Sequence, residues 1–95
     1  MVVGTCPDLG TLRAIPQPLR AWAARASRQL AAAQADAVRR AGGHVVALAD
    51  AVGPVFAERP DEMFSVDRFH PSALGYRRTA DALLPAILSA LAGTR

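Results

Sequence analysis

The chain has no lysine, no asparagine and a single cysteine, Cys6, among its 95 residues. One cysteine excludes an internal disulfide and a metal site built from several cysteines. Hydrophobic residues nevertheless make up 52% of the sequence, which is enough for a globular unit or part of one. The composition therefore excludes a disordered tail.

The positive charge is spread along the chain. All 11 basic residues are arginines, and the net charge is only +3. Nucleic-acid binding needs a basic face, usually with aromatic side chains on which bases stack. Because the arginines are scattered and aromatic residues amount to 5%, we predict no nucleic-acid partner.

Long apolar runs and targeting segments are also lacking. No run approaches the roughly 20 apolar residues that cross a bilayer, so no membrane span is predicted. The chain does not open with the charged and then apolar segments of a signal peptide. The cytoplasm is therefore the default location, while secretion stays open because Met1 need not be the natural start.

Hydrophobic patterning predicts two short strands and two long helices. Val2 and Val3 end one strand, and the β-branched run at residues 44–48 is typical of a buried parallel strand. The helical pattern between them stops at Gly42-Gly43. The predicted helices span residues 19–41 and 71–91, and a helical turn is expected near residues 55–58.

Both long helices carry an apolar stripe at steps of three and four residues. We expect each stripe to face the core, with Trp22 buried in it. Pro85 is expected to kink or shorten the second helix. The stripes are Leu19, Trp22, Ala26, Leu30, Ala33 and Ala37 in the first helix, and Tyr76, Ala80, Leu83, Leu84, Ile87 and Leu91 in the second.

The order strand, helix, strand predicts one βαβ unit with parallel strands and a right-handed crossover. A two-stranded sheet is marginal alone, and parallel sheets normally have both faces covered. We therefore predict an α/β fold that consists of one βαβ unit plus a C-terminal helix. It should be part of a larger layered structure.

The stretch DRFHP at residues 67–71 places a carboxylate three residues before a histidine. A carboxylate that accepts from one ring nitrogen holds the imidazole in one tautomer and stabilises the imidazolium. A spacing of three across a turn lets Asp67 reach His70 without long-range support. The pair therefore predicts acid–base catalysis, with the alternative that Asp67 only caps the last helix or the turn before it.

Other candidate groups give weaker predictions. Cys6 follows the end of a strand, so a Cys6–His70 dyad is an alternative to a small loop or core residue. His44 opens a strand, and its spacing from His70 supports no zinc site. Among the serines, Ser65 lies in a loop but has no oxyanion hole around it, and Ser72 is expected to cap the last helix. Ser27 and Ser89 lie in predicted helices.

The stretch DRFHPSALGY, followed by an alanine- and leucine-rich helix, resembles the last block of the SGNH (GDSL-type) hydrolases. VVGTCPDLG and GGHVVALAD resemble later parts of the same family, so the resemblance covers nearly the whole chain. It implies a flavodoxin-like, three-layer α/β/α fold, ester hydrolysis by a Ser-His-Asp triad, and no metal or organic cofactor. It also implies that His70 is the general base and that Asp67 orients it. The loop from Thr5 to Leu12 should line the acyl or alcohol pocket, with Thr5, Cys6 and Pro7 as the substrate-binding residues.

The chain departs from the family pattern where the nucleophile is expected. It contains no Gly-Asp-Ser and no Gly-x-Asn-Asp stretch, which carry the serine and the oxyanion donors in that family. Residues 1–95 are therefore predicted to be the C-terminal part of a single hydrolase domain, inactive alone, whose N-terminal half is the missing partner. The implied substrate is a small-molecule, lipid or carbohydrate ester.

An alternative from a different class is a small non-catalytic interaction module or the product of a degenerate gene. Its incompletely covered apolar faces would then dock on another protein.

Overall fold

The computed structural model describes residues 1–93. Two short strands flank a long helix, and three short helices then lead to a second long helix. A 3-10 turn at Leu9–Thr11 follows the first strand. The strands are β1 (Val2–Gly4) and β2 (His44–Val46), and the helices are α1 (Leu19–Arg40), α2 (Leu48–Ala51), α3 (Gly53–Glu58), α4 (Pro60–Met63) and α5 (Ala73–Ala92).

β1 and β2 pair in parallel, with Val3 opposite Val45, and α1 makes the crossover between them. Both α1 and α5 contact this sheet. The predicted α/β class, with one βαβ unit, parallel strands and a C-terminal helix, is confirmed. Within residues 1–93 the sheet has only two strands, so the fold is a partial α/β structure.

β2 is shorter than predicted because Leu48 begins α2 instead of ending the strand. The Leu48 side chain lies close to the backbone of Gly4 in β1. A Cβ on Gly4 would be 2.7 Å from Cδ1 of Leu48. The lack of a side chain at Gly4 therefore lets α2 pack against the sheet directly after β2.

α1 ends at the glycine pair, as predicted. Gly42 adopts a left-handed φ of 78°, a conformation that favours glycine. Its N–H donates to the carbonyl of Arg39, and the N–H of Gly43 donates to that of Val38. This pair of bonds forms a Schellman motif, which turns the chain from α1 directly into β2.

The apolar stripe predicted to be the buried face of α1 is instead exposed. The prediction for Trp22 is wrong, because its side chain is 72% exposed, and Leu19 and Leu30 are exposed as well. The buried residues of this helix are Ser27 and Val38.

The loop after β1 explains why small and polar residues form the inner face of α1. The Oγ of Ser27 accepts from the backbone N–H of Leu9 at 3.2 Å. The Oε1 of Gln34 accepts from the N–H of Cys6 at 2.7 Å. A helix face that hydrogen-bonds a loop backbone so closely has no room for a row of bulky side chains. The bulky side chains of α1 therefore lie on an exposed face of the helix.

α5 starts at Ala73, two residues later than predicted. Pro71 is not its first residue, because it pairs with Phe64 in an isolated antiparallel bridge. Ser72 is the N-cap, as expected, and its Oγ accepts from the N–H of Gly75 at 3.1 Å. The bridge and the cap together fix where the last helix begins.

The predicted apolar stripe of α5 is also mostly exposed. The helix continues through Pro85, which was expected to kink or shorten it, to Ala92. Only Leu83 of that stripe is half-buried; Tyr76, Ala80, Leu84, Ile87 and Leu91 are exposed. Both bulky stripes therefore lie mostly outside the core of residues 1–93. We call the resulting apolar surfaces the exposed flanks, defined by Leu19, Trp22 and Leu30 on α1 and by Leu84, Ile87 and Leu88 on α5.

Three short helices occupy most of the connection between β2 and α5. The turn predicted near residues 55–58 lies in α3, whereas α2 and α4 were not predicted. The rings of Phe56 and Phe64 meet edge to face, with centroids 5.2 Å apart. The core consists of Leu12, Val52, Phe56, Met63 and Phe64.

Gly75, in the first turn of α5, has no space for a side chain. A Cβ there would lie 2.2 Å from the carbonyl oxygen of Met63 and 3.1 Å from the ring of Phe56. Because a backbone atom would have to move, we expect Gly75→Ala to lower the free energy of unfolding by about 1–3 kcal/mol or more. Denaturant-induced unfolding measures this change.

Gly53 provides the matched control, since it is also a helical glycine but a Cβ there meets nothing within 4 Å. Gly53→Ala should leave the free energy of unfolding unchanged or raise it slightly, through the helix propensity of alanine. Equal losses in the two variants would contradict the steric explanation for Gly75.

Candidate active site

The segment from Phe64 to Pro71 is a closed loop whose two ends form the antiparallel bridge. Inside it, the N–H of Ser65 donates to the carbonyl of His70 at 2.8 Å, and the N–H of Arg68 donates to the carbonyl of Ser65 at 2.9 Å. Arg68 adopts a left-handed φ of 59°, which turns the chain back at the tip. The loop backbone is thus fixed by its own hydrogen bonds.

The carboxylate of Asp67 occupies the inside of this loop. Its Oδ1 accepts from the backbone N–H groups of Phe69 and His70, at 2.9 and 3.0 Å, and from the hydroxyl of Ser65 at 2.8 Å. Its Oδ2 lies 2.7 Å from Nδ1 of His70. One oxygen therefore holds the turn, and the other faces the imidazole.

These contacts lower the pKa of Asp67 well below its usual range. The largest cause is the hydrogen bond to the His70 side chain, followed by the backbone N–H groups of Phe69 and His70 and the hydroxyl of Ser65. Asp67 is therefore a carboxylate at neutral pH and can only accept hydrogen bonds. In the neutral imidazole the proton must then lie on Nδ1, which leaves the lone pair on Nε2.

The pair is open to an approaching group. The side chain of His70 is 66% exposed, and that of Asp67 is 48% exposed. The ring of Phe69 stands edge to face against the imidazole, with centroids 5.2 Å apart. His70 therefore has one ring nitrogen held by Asp67 and one accessible from outside the chain, which is the geometry that a general base requires.

The interpretation of Asp67 as a cap is correct for one of its two oxygens. Oδ1 caps the turn at Phe69 and His70, while the N-cap of α5 is Ser72. A cap alone would not explain the second oxygen, which is directed at Nδ1 of His70. The catalytic roles of Asp67 and His70 stay predictions.

A groove of about 280 Å³ lies next to His70. The loop after β1 contributes Pro7 and Leu12 to its wall, and α3 contributes Phe56. Phe69 and His70 line the groove as well. The groove is at the carboxyl end of the parallel strands, where open α/β sheets bind ligands, and its mainly apolar lining suits an apolar part of a ligand.

The three residues predicted to bind substrate occupy different environments. Pro7 lines the same groove as His70. Thr5 is buried, and both its N–H and its hydroxyl donate to the carbonyl of Val46, at 3.0 and 3.3 Å. Cys6 is half-buried, and its N–H donates to Gln34. The structure therefore brings Pro7, but neither Thr5 nor Cys6, to the groove wall.

Three of the serines make hydrogen bonds that fix the backbone or Asp67. Ser27 bonds the loop after β1, Ser65 bonds Asp67, and Ser72 caps α5. Ser89 is exposed on α5. The contribution of Ser65 was missed by the sequence prediction, although a hydroxyl two residues before an aspartate at the start of a turn was an available signal.

Residues 1–93 contain no group of three or more His, Cys, Asp or Glu side chains that could hold a metal ion. The helices of the same residues include none that is long and apolar enough to cross a membrane. His44, at the start of β2, is exposed.

Fold and site together define a partial α/β structure that carries an Asp–His pair and an apolar groove at the edge of its parallel sheet. The chain is 53% identical, over 91 residues, to a GDSL-like esterase of Mycobacterium tuberculosis. The match covers 96% of this chain, and it confirms the resemblance to the GDSL-type hydrolases. The chain spans only 29% of the length of that relative. No family model matches the sequence, and no solved structure matches it.

Proposed function

We propose that the chain supplies the base and the orienting acid of a serine ester hydrolase. His70 accepts the proton of a serine hydroxyl, and Asp67 holds the imidazole in the productive tautomer. The observation that carries the proposal is the 2.7 Å contact between Nδ1 of His70 and Oδ2 of Asp67, with Nε2 left accessible. The name of the mycobacterial relative supports an ester bond as the target.

The proposed reaction is acyl transfer to water in two steps. Nε2 of His70 takes the proton as the serine oxygen bonds to the ester carbonyl carbon. The imidazolium, stabilised by Asp67, then protonates the departing alcohol, and an acyl-serine remains. In the second step His70 takes a proton from water, the hydroxide oxygen bonds to the acyl carbon, and the serine recovers its proton as the acid leaves.

We assign the apolar groove to one side of the ester. His70 lines this groove and Phe69 packs against its ring, so an acyl or alcohol chain bound there would hold the carbonyl near the base. The lining favours an uncharged, apolar group over a charged one. Thr5 and Cys6 contribute indirectly in this proposal, because their bonds to Val46 and Gln34 hold the loop that presents Pro7.

The nucleophile and the oxyanion donors come, in this proposal, from an N-terminal half of the same domain. The exposed flanks on α1 and α5 support this part of the proposal. Apolar rows on two long helices beside a two-stranded sheet are where further strands and helices of a layered α/β domain pack. The span of 29% of the relative's length leaves ample chain for that half.

A chimera tests the proposed function. In it, this chain replaces its matching segment in the mycobacterial relative, which keeps the upstream region where the family pattern places the serine. We expect the chimera to hydrolyse p-nitrophenyl butyrate, as the intact relative is expected to, while the isolated chain gives negligible turnover. A folded chimera without activity, beside an active relative, would refute the proposal.

That negative outcome would favour the interaction module as the second candidate. The exposed flanks are the observation that supports it, because apolar rows of this kind also mark surfaces for protein partners.

A further inference from the structure

Within the described residues, two side chains form hydrogen bonds with the carboxylate of Asp67, namely those of His70 and Ser65. The hydroxyl of Ser65 lies 2.8 Å from Oδ1 of Asp67 and 3.0 Å from the carbonyl oxygen of His70. The other two donors to Oδ1 are the backbone N–H groups of Phe69 and His70. Ser65 lies on the N-terminal arm of the loop, and Phe69 and His70 lie on its C-terminal arm.

We propose that Ser65 is a positioning residue, whose hydroxyl holds the Asp67 carboxylate so that Oδ2 faces Nδ1 of His70. The carboxylate is held from both arms of the loop only when this hydroxyl is present. Without it, both remaining donors to Oδ1 lie on one side, and the carboxylate can rotate away from the imidazole.

The single proton of the hydroxyl favours Asp67 over the competing acceptor. The carbonyl of His70 already accepts from the N–H of Ser65 at 2.8 Å, whereas Oδ1 of Asp67 carries negative charge. Hydrogen bonds to a charged acceptor are shorter and about twice as strong as neutral ones. The proton therefore points to Asp67, and the hydroxyl contributes to the lowered pKa of that carboxyl group.

The backbone of the loop does not depend on the hydroxyl. The bond from the N–H of Ser65 to His70, the bond from the N–H of Arg68 to Ser65, and the bridge between Phe64 and Pro71 all involve main-chain atoms. Ser65→Ala therefore leaves the loop folded and removes only the hold on Asp67.

The test measures Ser65→Ala in the chimera by two readouts. The first is the low-field proton signal of Nδ1 of His70, followed against pH by NMR. Loss of a donor raises the pKa of Asp67, so the carboxylate is protonated earlier as the pH falls. The signal should therefore be weaker than in the parent, and on acidification it should disappear at a higher pH. The second is ester hydrolysis, in which kcat should fall about tenfold with KM unchanged, because the groove is intact.

Two variants serve as controls. Ser65→Thr keeps a hydroxyl at the same position and should restore both readouts. Ser89→Ala removes an exposed hydroxyl from α5 and should change neither. An unchanged His70 signal and unchanged kcat in Ser65→Ala would overturn the positioning role.

Because a rate effect exists only if His70 is the general base, this role of Ser65 in catalysis rests on the proposed function. The two can fail separately. An inactive chimera whose Nδ1 signal still depends on Ser65 would refute the esterase proposal and retain the positioning role. An active chimera in which Ser65→Ala changes neither the His70 signal nor kcat would retain the esterase proposal and refute the positioning role.

Discussion

His70→Ala in the chimera is expected to lower kcat for ester hydrolysis by at least about 10³-fold. Alanine removes the only group in the Asp67–His70 pair that can take the serine proton. KM should change little, since the substrate groove is lined by many other residues. Steady-state kinetics with p-nitrophenyl butyrate, at a pH where the parent is fully active, gives the comparison.

His44→Ala is the matched control, because His44 is the other histidine of the chain and is exposed at the start of β2. It should retain the parent's activity. If His70→Ala kept most of the activity, His70 would not be part of the mechanism.

Asp67→Asn is expected to lower kcat by a large factor, about 10²-fold or more, but by less than His70→Ala does. The amide oxygen can still accept from the N–H groups of Phe69 and His70, so the loop keeps its shape. The amide nitrogen, however, replaces Oδ2 and offers a donor to Nδ1 of His70. The ring must then carry its proton on Nε2, where it cannot accept one from a serine.

Asp36→Asn is the control for this substitution. Asp36 is another exposed carboxylate with a charged partner, Arg40, but it lies on α1. Exposed pairs of this kind contribute little, so activity and stability should stay close to those of the parent. A near-parental rate in Asp67→Asn would mean that Asp67 is only a turn cap.

The parts of the structure that the sequence predicts correctly are those set by local chemistry. The glycine pair at 42–43 ends α1 because a left-handed residue is needed there, and β-branched runs form the two paired strands. The contact between Asp67 and His70 is predictable for the same reason, since three residues across one turn fix their separation.

The orientation of the long helices was not predictable from periodicity alone. α1 has two faces with the same period, one bulky and one small, and the rule that bulky residues face the core selects the face that lies outside the core of residues 1–93. Ser27 and Gln34 face inward because they bond backbone groups of a loop about 20 to 30 residues away in sequence. No local pattern encodes such partners.

The groove beside His70 was missed in most of its detail for a related reason. Its walls come from three separate segments, represented by Leu12, Phe56 and Tyr76. The loop from Thr5 to Leu12 was assigned to substrate, and Pro7 and Leu12 of this range do lie in the wall, but Thr5 and Cys6 do not. Tyr76 was assigned to a packing stripe from its spacing alone. Its position next to the groove depends on where Ser72 starts α5.

Among the described residues, the hydrogen bonds that orient the imidazole come from six consecutive residues, 65–70, and main-chain bonds between the same residues shape this stretch inside the bridge of Phe64 and Pro71. The acid and the base thus form a self-contained cassette, whose geometry is inherited wherever the two ends of the loop are held at the spacing of one bridge. We expect that this segment can be grafted between scaffolds as a unit. Under the proposed function, cutting the hydrolase upstream of residue 65 would leave the acid and the base together on one piece, which is the arrangement that a split reporter requires.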